Sequence, residues 1–271
     1  MSYRLIASDI DGTLVGEDSV LSRENLDAIK KMKELGVYFV PSSGRSFFEM
    51  PEAITSCKDI RYYITSNGAC IYDKERDEEM LFSLTGEKIK ELLSITEDYD
   101  VCYSAHREKW AHFDHRLSEE DMIYYSIEEG YRKVFLTQMK HLEDIRDFTK
   151  DDKTEMFVAF FHDMKERQEC LERLKKVEGI TVTGSVPYNV EIISKKATKG
   201  NALCRLLEKL SIKKEETIAV GDSPNDTTLL SVAGTPLAVK NASPALKEMA
   251  ARVICSQKEH AAKHILENYL L

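Results

Sequence analysis

The chain has 271 residues, of which 42% are hydrophobic and 31% are charged, and its formal net charge at pH 7 is −9. This composition is typical of a soluble globular protein with one large domain or two ordinary ones, and it excludes a disordered chain. The negative balance argues against nucleic acid as a partner, because a phosphate backbone demands a basic face.

The sequence also shows no evident pattern of a membrane helix, a signal peptide or paired cysteines. No apolar run approaches the ~20 residues that a membrane helix needs, and the N-terminal residues lead directly into an apolar strand without the pattern of a signal peptide. We therefore expect no membrane partner and a cytoplasmic location. The six cysteines are scattered without a Cys-x-x-Cys pair, so their spacing predicts neither a zinc site nor a disulfide framework.

The first elements along the chain predict a parallel sheet. Leu5 to Ala7 are apolar at successive positions, as in a central strand that is covered on both faces. A helix follows, with Ser22 as its N-cap and Gly36 directly after its end. Val37 to Val40 match a second buried strand. A strand, a helix and a strand in this order form a βαβ unit, whose two strands run parallel.

The middle of the chain lacks this alternation of strands and helices. Tyr62 to Thr65 predict a third strand, and the charged run Asp73 to Glu79 predicts a hairpin turn or a solvated loop. Helices and strands then follow without the βαβ order, which favours an inserted α+β module. The predicted elements of this module are helices at Glu87 to Thr96, Lys140 to Thr149 and Lys165 to Val177, and strands at Met156 to Phe161 and Thr181 to Thr183.

The α/β pattern returns near the end of the chain. Apolar residues at helical spacing predict a helix over Lys199 to Leu210. Further predicted elements are strands at Thr217 to Val220, Pro236 to Val239 and Arg252 to Cys255, and a helix near Ala245 to Ala250. We therefore predict one domain formed by residues 1–83 and 189–271, with a second domain, residues 84–188, inserted into it.

Small polar residues follow four of the predicted strands. These segments are Asp9-Ile10-Asp11-Gly12-Thr13, Ser42-Ser43-Gly44-Arg45, Ser66-Asn67-Gly68 and Gly221-Asp222-Ser223-Pro224-Asn225-Asp226. Each segment alone has an ordinary explanation, such as a turn or a helix cap. Ligands bind at the carboxyl ends of strands in open parallel sheets, so the four segments together predict one composite site.

Four stretches of the sequence resemble the signature motifs of the haloacid dehalogenase-like superfamily: DIDGT, SSGR, TKGNAL and GDSPND. More narrowly, they resemble its Cof-type phosphatases, as do SNGA at Ser66 to Ala69 and KNASPALKEMA at Lys240 to Ala250. The resemblance implies an α/β fold, with a Rossmann-like doubly wound parallel sheet as the core and an α+β cap inserted between the second and third motifs. One departure lies at Gln257 to Ala261, which lack the glycine commonly found there.

The resemblance also implies a reaction. A hard divalent cation, Mg²⁺, prefers oxygen ligands, and Asp9 and Asp222 can supply carboxylates from neighbouring strand ends. By resemblance, the backbone carbonyl of Asp11 supplies a third ligand. Asp9 is then the nucleophile that forms an aspartyl phosphate, because a carboxylate needs no base to attack phosphorus. Asp11 acts first as general acid and then as general base.

The remaining motif residues are expected to bind the phosphate or support the site. We predict that four residues bind the phosphoryl group. Ser43 binds it through its hydroxyl and Gly44 through its backbone N–H, and Lys199 and Asn225 bind it through their side chains. Asp226 is expected to hold Lys199 or a metal-bound water. Arg45 and Asn67 belong to the rim of the site, where they either touch substrate or stabilise their own loops.

The leading hypothesis is a Mg²⁺-dependent phosphohydrolase acting on a small phosphorylated metabolite, with sugar phosphates favoured by the resemblance. A phosphotransferase or phosphomutase would use the same residues and differ only in excluding water. A non-catalytic phosphometabolite-binding module is a third hypothesis, although binding alone does not require Asp11. A zinc cluster of His112, Asp114 and His115 with Cys102 and His106 is disfavoured, because nothing predicts that they share one face. The sequence makes no prediction of oligomeric state.

Overall fold

The structure is a computed structural model that describes residues 3–16, 20–184 and 187–271, without the side chains of residues 130 and 131. The chain divides into two compact units. The first contains the residues up to Arg45, Met50–Met80 and Thr198–Leu271, and the second contains Ser46–Glu49 and Leu81–Ala197. The predicted domain boundaries near residues 84 and 188 stay a prediction.

The described residues form fourteen strands and ten α-helices. The strands are β1 Leu5–Asp9, β2 Tyr38–Ser42, β3 Tyr62–Thr65, β4 Cys70–Asp73, β5 Glu78–Leu81, β6 Val101–Arg107, β7 Trp110–Phe113, β8 Lys140–His141, β9 Met156–Phe161, β10 Ile180–Thr183, β11 Asn189–Ser194, β12 Thr217–Gly221, β13 Thr235–Ala238 and β14 Arg252–Val253. The helices are α1 Arg23–Glu34, α2 Glu52–Thr55, α3 Gly86–Thr96, α4 Glu119–Tyr124, α5 Glu129–Gln138, α6 Met164–Leu174, α7 Lys199–Leu210, α8 Thr227–Val232, α9 Pro244–Met249 and α10 Ala261–Ile265. None of these helices is long and apolar enough to cross a membrane.

The sheet of the first unit has the strand order β14-β13-β12-β1-β2-β3-β4-β5. Strands β14 to β3 in that order pair in parallel, whereas β4 pairs antiparallel with β3. The chain proceeds outward from β1 through β2 and β3 on one side and from β12 through β13 and β14 on the other, so the strand order reverses at β1. This doubly wound parallel core confirms the predicted α/β fold class.

Local sequence explains where the helices beside this sheet begin. The side chain of Ser22 accepts a hydrogen bond from the backbone N–H of Asn25, which confirms the predicted N-cap of α1. The side chain of Thr198 caps α7 in the same way, through the N–H of Asn201. Because α7 begins at Lys199 and buries its apolar face, Lys199 stands in the first turn of a firmly packed helix.

The second unit contains a six-stranded sheet with the order β10-β11-β9-β6-β7-β8. Its pairs are antiparallel except for β7 and β8, which run parallel. Helices α3 and α6 pack against this sheet around Phe157 and Phe161, which are fully buried. The structure therefore confirms the α+β character predicted for this part of the chain.

The helix predicted over Lys140 to Thr149 is wrong. Lys140–His141 form the short strand β8, and Ile145–Thr149 form a 3₁₀ turn. The side chain of Asp144 accepts from the N–H of Arg146, so the chain starts a new turn in the middle of the predicted helix. The buried residues Leu142, Ile145 and Phe148 recur every three positions, which is the period of a 3₁₀ helix.

Candidate active site

Three carboxylates converge at the carboxyl ends of the central strands. Asp9 is the last residue of β1, and Asp222 and Asp226 follow the neighbouring strand β12. One oxygen from each of these side chains lies within 4.8 Å of the others. The point where the strand order reverses therefore carries a concentrated negative charge.

Lys199 lies between two of these carboxylates. Its Nζ donates to Oδ1 of Asp9 at 2.6 Å and to Oδ1 of Asp226 at 2.7 Å, and its side chain is only 1% exposed. Burial disfavours the charged ammonium, but the two carboxylates outweigh that effect and raise the pKa of Lys199. The residue therefore stays protonated and holds the ends of β1 and the β12 loop together.

One ammonium does not neutralise three carboxylates. Burial raises the pKa of Asp9 well above its usual range, and the charge of Asp226 adds to this effect despite the opposing influence of Lys199. Burial and Asp226 likewise raise the pKa of Asp222 to about 6. The remaining oxygen of Asp9, Oδ2, is buried and accepts no hydrogen bond from the described residues. These carboxylates therefore need a further positive partner.

Both oxygens of Asp226 accept hydrogen bonds from neighbouring groups. Its Oδ1 accepts from Lys199, and its Oδ2 accepts from the backbone N–H groups of Asp222 and Ser223 at 3.0 and 3.1 Å. Asp226 thus fixes the loop that presents Asp222, as well as the ammonium of Lys199. Of the three acids, Asp9 carries a buried oxygen, Oδ2, that accepts no hydrogen bond from the described residues.

The turn after β1 is packed against Asp222. Gly12 has a φ of +81°, and a Cβ there would lie 2.6 Å from Oδ2 of Asp222. The N–H of Gly12 donates to the carbonyl of Val15 at 2.9 Å. The hydroxyl of Thr13 donates to Oδ1 of Asp222 at 3.3 Å, a contact for which the sequence predicted no role although Thr13 lies in the DIDGT motif. Only glycine fits the turn that brings Asp11 beside this site.

Arg45 pairs with Asp11. The Nε of Arg45 donates to Oδ2 of Asp11 at 2.8 Å, and its terminal nitrogen donates to Oδ1 at 2.7 Å. The Asp11 side chain is 44% exposed and that of Arg45 is 27% exposed, so this two-point contact lies at the surface of the unit. The sequence placed Arg45 on the rim without identifying Asp11 as its partner.

The SNGA stretch meets the fourth motif, GDSPND, through a pair of asparagines and meets the second motif, SSGR, through backbone contacts. Nδ2 of Asn225 donates to Oδ1 of Asn67 at 3.1 Å, and a Cβ on Gly44 would lie 3.1 Å from the same oxygen. The N–H of Asn67 donates to the carbonyl of Ser43 at 3.0 Å, and the hydroxyl of Ser43 accepts from the N–H of Arg45 at 3.1 Å. The structure thus brings Ser43, Gly44, Asn67 and Asn225 together in one continuous network.

A family model for haloacid dehalogenase-like hydrolases matches residues 6–266. The chain belongs to this family. It is similar to phosphatase YwpJ of Bacillus subtilis (strain 168), with 29% identity over 286 residues that cover 98% of this chain and 100% of the relative. It is also similar to 5-amino-6-(5-phospho-D-ribitylamino)uracil phosphatase YcsE of the same strain, with 28% identity over 274 residues that cover 100% and 97% of the two chains.

Solved structures agree with this assignment. A haloacid dehalogenase-like hydrolase from B. subtilis superimposes with a TM-score of 0.82 at 26% identity, covering 98% of this chain and 100% of that one. A sugar phosphatase of subclass IIB of the superfamily shares the fold, with a TM-score of 0.80 at 19% identity over 99% and 100% of the chains. The prediction that this chain is an enzyme, a Cof-type phosphatase, is confirmed.

The acidic cluster of this haloacid dehalogenase-like hydrolase fits the Mg²⁺ that the family generally uses. Oxygen is the ligand atom that Mg²⁺ prefers, and one or two carboxylates are its usual protein ligands. Asp9 and Asp222 offer two carboxylates, and the buried Oδ2 of Asp9 lacks a hydrogen-bond donor among the described residues. Burial and the charge of Asp226 raise the pKa of both acids, and a nearby cation would favour their ionised forms.

The alternative histidine cluster of the hydrolase is not assembled in the second unit. Within the described part of the chain, no group of possible metal ligands includes His112, Asp114, His115, Cys102 or His106. The ring of His112 packs edge-on against Phe148, with centroids 5.3 Å apart, and burial lowers its pKa to about 4. His112 therefore belongs to the packing of this unit.

Proposed function

We propose that this phosphatase hydrolyses monoesters of small phosphorylated metabolites with Mg²⁺, through an aspartyl phosphate formed on Asp9. The observation that carries the proposal is the buried Oδ2 of Asp9, which accepts no hydrogen bond from the described residues. It belongs to the carboxylate that Lys199 contacts and that clusters with Asp222. This carboxylate needs a cation to balance its charge and an electrophilic phosphorus to attack.

Mg²⁺ would be held by the carboxylates of Asp9 and Asp222 and by the backbone carbonyl of Asp11. When bound, it would neutralise charge on the phosphoryl oxygens. Asp226 supports this set by fixing the Asp222 loop through two backbone N–H groups, while Thr13 supports Asp222 through its hydroxyl. The carboxylates of Asp9 and Asp222 would then be ionised at neutral pH.

Asp9 would attack phosphorus and Asp11 would move the proton. The ionised carboxylate of Asp9 needs no base, and its orientation is supported by the contact with Lys199. Asp11 would protonate the leaving alcohol and then accept a proton from the attacking water. Because both Asp11 oxygens accept from Arg45, at least one of these bonds must open before Asp11 can reach the leaving group.

The phosphoryl group would be bound by Ser43, Gly44, Lys199 and Asn225. The network that joins Ser43 and Gly44 to Asn67, and Asn67 to Asn225, supports this assignment, because it connects three loops that follow three different strands. Lys199 adds a positive charge at the first turn of α7, where the helix dipole also favours an anion. Asn67 would then position the binding groups from the rim.

We further propose that the substrate is a sugar phosphate or a closely related polyol phosphate, and that residues 84–188 act as the cap that selects it. The name of YcsE describes a substrate with a phosphorylated ribityl chain, and the subclass IIB relative is a sugar phosphatase. Exchanging residues 84–188 for the matching YcsE segment should shift the substrate ranking toward that of YcsE. A folded chimera that keeps the original ranking would contradict the assignment of specificity to this segment.

The function is tested by measuring phosphate release from a panel of sugar, polyol and nucleoside monophosphates, with Mg²⁺ and with EDTA. We expect Mg²⁺-dependent turnover that Asp9→Asn abolishes without loss of fold, since the amide keeps the volume of the carboxylate. Asp27→Asn, at an exposed position on α1, is the matched control and should keep full activity. Full turnover after exhaustive chelation, or wild-type rates in Asp9→Asn, would contradict the proposal, and transfer of phosphate to a second metabolite would instead favour a mutase.

A further inference from the structure

We infer that Asn241 is a positioning residue that fixes the turn carrying Asp11, an inference that rests on the proposed function of that turn. Asn241 follows β13 and belongs to the stretch from Lys240 to Ala250, for which the sequence suggested no chemical role. Its side chain is exposed, yet both ends of its amide group are hydrogen-bonded to backbone atoms.

The first of these bonds reaches the catalytic turn. Nδ2 of Asn241 donates to the carbonyl of Gly12 at 2.6 Å. The N–H of Gly12 is held by the carbonyl of Val15. Both peptide groups that flank the Gly12 Cα are therefore restrained by hydrogen bonds. These restraints fix the backbone next to Asp11 and thereby orient its side chain.

The loop around Asn241 is itself well anchored. The N–H of Lys240 donates to the carbonyl of Cys255 at 3.1 Å, and the N–H of Ser243 donates to the carbonyl of Asp222 at 2.8 Å. The same loop thus contacts the backbone of Asp222 and, through Asn241, the backbone of Gly12. It ties the acid proposed for metal binding to the turn that carries the acid proposed for proton transfer.

The second bond of Asn241 offers a purely structural explanation. Its Oδ1 accepts from the backbone N–H of Gln257 at 3.2 Å, which joins the loop to the segment before α10. The two explanations differ in the effect of an isosteric change. Asn241→Asp keeps the acceptor for Gln257, removes the donor to Gly12 and brings a carboxylate against the Gly12 carbonyl oxygen. Asn241→Ala removes both bonds.

The test compares wild type, Asn241→Asp, Asn241→Ala and the control Asn268→Asp. Asn268 is exposed, and its side chain donates to the carbonyl of His264. We expect both Asn241 variants to lose about 10- to 100-fold in kcat for Mg²⁺-dependent hydrolysis of para-nitrophenyl phosphate, the range seen when groups that orient catalytic ligands are removed. The KM and the midpoint of thermal unfolding should stay close to wild type. Wild-type kcat in Asn241→Asp would overturn the inference, because the Gln257 contact alone would then account for the residue.

A second measurement separates this inference from the proposed function. Amide hydrogen exchange of residues 11–15 should become faster in both Asn241 variants and stay unchanged in Asn268→Asp, whatever the enzymatic activity. Inactive wild-type protein with faster exchange in the variants would contradict the proposed function and support the positioning role. Unchanged exchange in both Asn241 variants would overturn the positioning role even if the enzyme were active.

Discussion

Lys199 Nζ lies 2.6 Å from Oδ1 of Asp9, and neither side chain is more than 7% exposed. The same ammonium contacts Asp226, so two buried carboxylates share one buried cation. Breaking a buried ion pair leaves an unpaired charge, which costs more than the pair contributes when intact. Lys199 should therefore matter for stability as well as for phosphate binding.

Lys199→Met should lower the free energy of unfolding by about 3–5 kcal/mol, because it leaves Asp9 and Asp226 buried without a cation. Urea unfolding of the metal-free protein measures the change. Lys199→Met combined with Asp226→Asn should recover part of the loss. Lys209→Met on the same helix is the control, since Lys209 lies 3.9 Å from Glu78 as a partly exposed pair and should cost at most about 1 kcal/mol. Equal losses of unfolding free energy in Lys199→Met and Lys209→Met would contradict the larger contribution expected of the buried ion pair.

Two glycines with the same backbone conformation should differ in their tolerance of alanine. Gly12 and Gly36 have φ of +81° and +75°, but a Cβ meets Asp222 at Gly12 and nothing within 4 Å at Gly36. Gly36→Ala should cost about 1 kcal/mol of stability, from the left-handed conformation, and leave activity intact. Gly12→Ala should also displace Asp222 and abolish turnover. Retained activity in Gly12→Ala would show that the close approach of Asp222 is not required.

Mg²⁺ should raise the thermal stability of the wild-type protein, and Asp222→Asn should remove that effect. At about a hundred times its dissociation constant, a ligand that binds only the folded state adds about 2.7 kcal/mol. The pKa of Asp222 rises from 3.8 to about 6 on folding, so the ionised acid destabilises the metal-free fold as the pH rises through this interval, with the full cost present at neutral pH. Metal-free Asp222→Asn should therefore unfold at a temperature no lower than metal-free wild type.

The corresponding control is Asp27→Asn, which should keep the wild-type response to Mg²⁺ because Asp27 is exposed on α1. Differential scanning fluorimetry with Mg²⁺ and with EDTA gives both comparisons. An undiminished Mg²⁺ response in Asp222→Asn would place the cation elsewhere.

His112 should make the protein less stable in acid. Burial, aided by the charges of Lys140 and Arg107, lowers its pKa from 6.5 to about 4 in the folded state. Between these values the unfolded chain binds a proton that the folded chain does not, so this contribution is complete above pH 6.5 and is lost as the pH falls toward 4. His112→Phe should reduce the loss of stability over this interval, as measured by urea unfolding. His115→Phe, at an exposed position after the same strand, is the control variant. An unaltered profile in His112→Phe would contradict the lowered pKa of its half-buried imidazole.

The sequence predicted the secondary structure of the first unit better than that of the second, because local signals specify the elements of the first unit more completely. The apolar run at Leu5 to Ala7 and the cap at Ser22 are local signals, and both reappear in the structure as predicted. The segment from Lys140 to Thr149 has a three-residue apolar period that fits a 3₁₀ turn as well as part of a helix, and the cap at Asp144 decides between them. The start of the predicted helix is instead the strand β8, which pairs with β7, and that pairing is not a local property of the sequence.

The candidate site also contains residues that the sequence predicts and contacts that it does not predict. Residue types at strand ends indicate Asp9 and Asp222, since strand ends can be predicted locally, whereas the role of Lys199 comes from the resemblance of TKGNAL to a family motif. The contacts of Arg45 with Asp11 and of Asn241 with Gly12 join residues that are 34 and 229 positions apart. Nothing in the sequence around either residue specifies its partner, so these contacts required the folded chain.

The central claim, that Asp9 carries the phosphoryl group, is tested most directly by trapping the phosphoenzyme. In Asp11→Asn, an activated substrate such as para-nitrophenyl phosphate should still phosphorylate Asp9, because its leaving group needs no acid, while hydrolysis of the intermediate should stall without the base. The reaction is quenched in acid and reduced with borohydride, which converts an aspartyl phosphate into homoserine, and the peptides are sequenced by mass spectrometry. We predict homoserine at position 9, dependent on Mg²⁺ and absent from Asp9→Asn combined with Asp11→Asn. An unmodified residue 9 in Asp11→Asn, or modification of a different residue, would contradict the account.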